Sequence, residues 1–76
     1  MGSVVKRSVV VNGHNTSISL EEPFWIALKA IATQQRMPLN YVVSALEEER
    51  TTGNLSSAIR LFVLARAQAA ALPQAA

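Results

Sequence analysis

Asn12-Gly13 separates two segments that both read as extended chain. Before it stand the β-branched residues Val9, Val10 and Val11, and after it polar and apolar residues alternate from His14 to Leu20. Asn-Gly is the strongest two-residue hairpin signal, because a type I′ turn needs positive φ at both central positions. The alternation puts Thr16, Ile18 and Leu20 on one face and Asn15, Ser17 and Ser19 on the other. A lone strand or hairpin cannot bury an oily face unaided. The remaining chain, or a second copy of it, must cover that face.

Three amphipathic helices are predicted to do so. Pro23 fits a first helical turn, where its missing N–H costs nothing, and Glu21 and Glu22 suit the positive end of the helix dipole. Phe24, Ala27, Leu28, Ile31 and Ala32 then follow the spacing of one buried face. Met37-Pro38 breaks this helix, since the residue before proline is pushed out of the α region. Pro38 starts a second helix with the stripe Leu39, Val42, Val43 and Leu46, and Thr51-Thr52-Gly53 stops it. Asn54 or Ser56 caps a third. Its apolar set is Leu55, Ala58, Ile59, Phe62 and Val63, and Leu61, Leu64 and Ala65 widen the stripe beyond one face. The Ala-rich end from Ala67 reads as a frayed helix leading into a disordered tail. The order is ββααα, with the stretch Val4–Val11 left as either a hairpin strand or a mobile arm.

The chain has 76 residues, and half of them are hydrophobic. Folds of that size usually need a staple. There is no cysteine and a single histidine, His14, which excludes disulfides and typical zinc sites. Oligomerisation is the staple that remains. No apolar run approaches the ~20 residues of a membrane helix, and the N-terminal residues lack a signal peptide's pattern. The expectation is a cytoplasmic protein. Its net charge of +2 is unevenly spread. Lys6 and Arg7 at one end, and Arg60 and Arg66 at the other, flank a middle in which Glu21, Glu22, Glu47, Glu48 and Glu49 outnumber Lys29, Arg36 and Arg50. That distribution permits a basic face toward a polyanion.

A short alternating strand, an amphipathic helix, a tight break and a second helix resemble the ribbon-helix-helix DNA-binding proteins of the Arc, MetJ and CopG type. Gly13-His14-x-Thr16-Ser17-x-x-Leu20-Glu21, the pair Phe24-Trp25 and the run Asn54-Leu55-Ser56-Ser57-Ala58 are similar to a bacterial subgroup with an added third helix. The resemblance implies a mainly α fold with short β, an intertwined homodimer whose strands pair as an intermolecular antiparallel β-ribbon. That ribbon enters the major groove of double-stranded DNA, which is ~12 Å wide. By the resemblance Asn15, Ser17 and Ser19 read bases. The start of the second helix, Pro38-Leu39-Asn40, holds a phosphate through the N–H groups of Leu39 and Asn40. Lys6, Arg7 and Arg36 give electrostatic support as phosphate contacts. The shared dimer core is Ile18, Leu20, Phe24, Trp25, Leu28, Ile31, Leu39, Val42, Val43 and Leu46. Residues 1–14 form the arm or extra strand, 15–65 the domain and 66–76 the tail.

This chain departs from the family pattern twice. Ribbon readers commonly carry a long basic or amide side chain at the reading positions, yet two of the three here are serine. Pro38 stands where Ser or Thr is common.

The expected activity is transcription regulation of the repressor type. The alternative is a protein-interaction module, such as an antitoxin-like partner, docking a second protein through residues 55–65. Simpler roles fit several residues: a wet strand face for Asn15, Ser17 and Ser19, a turn neighbour for His14, a core edge for Trp25 and a solvated helix end for Glu47 to Glu49. No catalytic residue, metal site or cofactor is indicated. The chain has no phosphate-binding glycine loop, no HExxH and no Ser-His-acid set with a pocket.

Overall fold

The computed structural model describes residues 4–50 and 53–71. Strand β1 (Val4–Val11) and strand β2 (His14–Glu21) precede helices α1 (Glu22–Gln34), α2 (Leu39–Glu49) and α3 (Leu55–Ala71). The strands pair antiparallel in one two-stranded sheet, with Val11 opposite His14 and Val4 opposite Glu21. Asn12 and Gly13 join them at φ of 51° and 83°, the left-handed conformations that the turn requires.

The choice between arm and hairpin is thereby resolved. Val4–Val11 is a strand, and its partner is β2 of the same chain. The two-residue Asn-Gly turn sets the register of this pairing within the chain. A Cβ at residue 13 meets no atom within 4 Å, so only backbone strain opposes one. Gly13→Ala is therefore expected to destabilise the fold by about 1–2 kcal/mol, the cost of an L-residue in the left-handed region. Thermal unfolding followed by circular dichroism will show whether it does.

The helices cover the inner face of the hairpin. Val9 and Val11 of β1 and Ile18 and Leu20 of β2 are buried with Leu28, Ile31 and Ala32 of α1, Val42 and Val43 of α2, and Leu55, Ile59 and Val63 of α3. The alternation read from β2 is thus its burial pattern. Of the expected dimer core, Ile18, Leu20, Leu28, Ile31, Val42 and Val43 are already buried within one chain. Phe24, Trp25, Leu39 and Leu46 pack against this core and stay partly open.

α1 ends in a Schellman motif. The N–H of Met37 donates to the Ala32 carbonyl and that of Arg36 to the Thr33 carbonyl, at 2.9 and 3.0 Å. Arg36 occupies the left-handed position at φ 58°, where glycine is usual. Asn54 caps α3, its side-chain oxygen accepting from the Ser57 N–H at 2.8 Å. Arg66 to Ala71, set apart as tail in the sequence reading, continues α3. Alanine's high helix propensity sustains the helix there. Residues 72–76 lie outside the described residues.

Candidate nucleic-acid interface

Adjacent residues of a strand point to opposite faces. Lys6 and Arg7 therefore part company. Val4, Lys6, Ser8 and Val10 are exposed on the outer face of β1, while Val5, Arg7, Val9 and Val11 turn toward the helices. On β2 the outer residues are Asn15, Ser17 and Ser19, all exposed. The register sets Lys6 opposite Ser19, Ser8 opposite Ser17 and Val10 opposite Asn15. The outer face thus carries small polar side chains and one cation, Lys6, between the exposed Val4 and Val10, and its residues repeat about every 6.7 Å along each strand.

Helices close parts of both edges of this ribbon. On the β1 side, Asn40 Oδ1 accepts from the Val10 N–H at 3.4 Å and Ser44 Oγ from the Asn12 N–H at 3.1 Å. On the β2 side, Ser56 Oγ accepts from the Ser19 N–H at 3.3 Å, and Arg60 Nη2 donates to the Ser19 carbonyl at 3.5 Å. Unpaired strand edges invite another strand, and capped ones do not.

The same contacts place the first turn of α2 against β1. The first bonds to the Pro38 carbonyl come from the N–H groups of Tyr41 and Val42, at 3.0 and 3.3 Å. Leu39 and Asn40 precede them, so their N–H groups have no intrahelical acceptor and are open to an anion beside the ribbon. Arg36 is exposed two residues upstream of Pro38.

Arg7 is engaged elsewhere. It forms an ion pair with Glu22 and lies over the Trp25 ring at 4.6 Å from the centroid. Its Nε is buried without a hydrogen-bond partner among the described residues. Arg7 thus ties β1 to the start of α1, on the side away from Asn15, Ser17 and Ser19. Trp25, read as a core edge, also takes Lys29 at 5.8 Å.

Arg60 clamps Glu21, donating from Nε to Oε1 at 2.7 Å and from Nη2 to Oε2 at 3.2 Å. The Arg60 hydrogen bonds, followed by the residue's own backbone N–H, hold the Glu21 carboxyl below its ordinary value of 4.5. A depressed carboxyl favours the fold above its unfolded pKa, and that contribution is lost as pH falls through the folded value. Glu21→Gln is therefore expected to lower the melting temperature at pH 7 and to make no difference once the medium is well below pH 4.5. Paired melts across pH 2–7 will test it.

Ser8 and Val10 are outer-face residues that the sequence reading passed over. Their signal was the two-residue turn itself, which fixes which β1 residue faces each β2 residue. Among the described residues, no group of His, Cys, Asp or Glu side chains gathers to hold a metal, and no helix is long and apolar enough to cross a membrane.

A family model described as a ribbon-helix-helix domain matches residues 4–67. No curated protein and no solved structure matches.

Proposed function

Because this chain belongs to the ribbon-helix-helix family, whose members are typically DNA-binding transcription regulators, we propose that it is a cytoplasmic repressor that lays its β-ribbon in the major groove. The observation that carries this reading is the outer face of the hairpin. Asn15, Ser17 and Ser19 stand exposed in one row, and none of their side chains is hydrogen-bonded within the described chain. An asparagine pairs with an adenine edge through two hydrogen bonds, and a serine gives to or takes from several bases. The N–H groups of Leu39 and Asn40 hold a backbone phosphate next to the ribbon, with Arg36 adding charge.

Members of the family generally bind DNA as dimers, and we propose the same for this chain. Partly buried Phe24, Trp25, Leu39 and Leu46 and exposed Ile26, Leu61 and Leu64 are the apolar surface available for a homodimer. Docking of a second protein through residues 55–65 is the other reading. It is favoured by Leu61 and Leu64, which are 66% and 48% exposed on the far side of α3.

The test is selection from a randomised duplex library, followed by fluorescence-anisotropy competition at one moderate salt concentration. A selected duplex bound at least about a hundredfold more tightly than unrelated DNA supports a reader, since non-specific binding alone sits near 10⁻⁴–10⁻⁶ M. Equal, weak binding of every duplex overturns the reading. Arg36 supplies a second check. Arg36→Gly relieves the left-handed strain, so it is expected to stabilise the fold by about 1 kcal/mol while weakening DNA binding. A residue serving only the turn gives the first effect without the second.

A further inference from the structure

Asn12 and Gly13 turn the chain, and they are also two residues that react with each other. Asparagine is chemically labile. It is lost when the amide nitrogen of the following residue attacks its side-chain carbon, and glycine, with no Cβ, hinders that attack least. We propose that Asn12 is a site of self-modification to isoaspartate, held in check by the closed hairpin and released when β1 leaves β2. The site stands apart from the DNA-binding reading.

The step needs only water. The Gly13 amide nitrogen gives its proton to hydroxide and bonds to Asn12 Cγ. The Cγ–Nδ2 bond breaks, Nδ2 takes a proton from water and leaves as ammonia, and a succinimide ring closes. Water then opens the ring at one of its two carbonyls. Opening at the former main-chain carbonyl leaves isoaspartate, whose main chain runs through Cβ and Cγ. Opening at Cγ leaves aspartate. Asparagine and water go in, and either product comes out with ammonia.

The structure singles out one of the four asparagines. Asn12 alone precedes a glycine, and both residues are exposed. The Gly13 N–H and the Asn12 side-chain amide have no hydrogen-bond partner among the described residues, and a Cβ at Gly13 would meet nothing within 4 Å. The other three are placed differently. Asn15 is followed by β-branched Thr16, inside the ladder opposite Val9. The N–H that Asn40 would need, that of Tyr41, donates to the Pro38 carbonyl at 3.0 Å. Asn54 is followed by Leu55, and its Oδ1 accepts from the Ser57 N–H at 2.8 Å.

The same turn supplies the lock. Its φ angles of 51° and 83° are those of a type I′ turn. In such a turn ψ of the first central residue is about +30°. That angle sets the Gly13 nitrogen nearly opposite Asn12 Cβ across the Cα–C bond, whereas the ring needs the two on the same side. Ser44 Oγ, accepting from the Asn12 N–H at 3.1 Å, and the strand register hold the turn in place. Ring closure therefore waits until the hairpin opens. Isoaspartate then lengthens the main chain by one carbon, so the two-residue turn no longer joins Val11 to His14 in register. It also takes one unit from the net charge of +2. The chain keeps a permanent record of an opened hairpin.

The experiment ages the full chain in mildly alkaline buffer beside a free peptide of residues 9–17. Intact mass and peptide mapping follow the exchange of an amino group for a hydroxyl, and isoaspartate-specific methylation identifies the product. Conversion is expected at Asn12 before any other asparagine, and about tenfold slower in the folded chain than in the peptide. Ser44→Ala, which frees the Asn12 N–H, is expected to speed it about twofold to fivefold. The isoaspartyl form, separated by ion exchange, is expected to melt at a lower temperature than Asn12→Asp, which carries the same charge on an ordinary main chain. Asn12 still intact after about a hundred half-lives of the peptide overturns the site. First conversion at Asn15, Asn40 or Asn54 does the same. A folded chain that reacts as fast as the peptide overturns the lock, as does an unchanged rate in Ser44→Ala. An isoaspartyl form as stable as Asn12→Asp overturns the effect on the hairpin.

Discussion

Ile59→Ala will remove about 2–5 kcal/mol of stability, the usual loss when a fully buried isoleucine is cut to alanine. Ile59 has no exposed surface. It lies between Leu55 and Val63 on the buried face of α3, one turn from each. A domain of this length holds roughly 4–11 kcal/mol in total, so the single change removes a large share. Urea denaturation followed by circular dichroism will report it as a lower midpoint with an unchanged slope. A chain ending after Thr52 loses Leu55, Ile59 and Val63 together and is expected to show no cooperative transition. If that shortened chain unfolds like the whole one, α3 is an appendage for another protein and not a wall of the core.

Asn15→Ala will cost about 1–3 kcal/mol of binding to the selected duplex, and the loss will concentrate at one adenine. Asn15 is exposed and its side chain has no hydrogen-bond partner among the described residues. The melting temperature should therefore stay where it was. Competition among duplexes differing at single base pairs separates the two kinds of loss. A general weakening marks a residue that only shapes the surface. A preference unchanged at every position removes Asn15 from the reading row.

The local signals in this sequence were strong where one residue type has one conformational use. Asn12-Gly13 gave the turn, the period of two gave the face of β2, and the spacing of Leu28, Ile31, Val42, Val43, Leu55, Ile59 and Val63 gave the core. Less was legible where a choice depended on distant chain. Whether Lys6 or Arg7 stands on the outer face is decided by the parity of β1, and parity has meaning only once β1 is known to be a strand. Asn40, Ser44 and Ser56 look like ordinary helix-surface residues. Their work on the ribbon edges joins positions at least thirty residues apart and leaves no periodic mark. Arg36 in a glycine conformation is invisible for the opposite reason. A Schellman turn ends α1 there, and the usual residue for it is absent.

A ribbon made from two identical strands looks the same when turned end over end. The hairpin of this chain does not. One end carries Lys6 with Ser19 and the other carries Val10 with Asn15. Such a ribbon has polarity: its two ends offer different side chains to whatever lies against it.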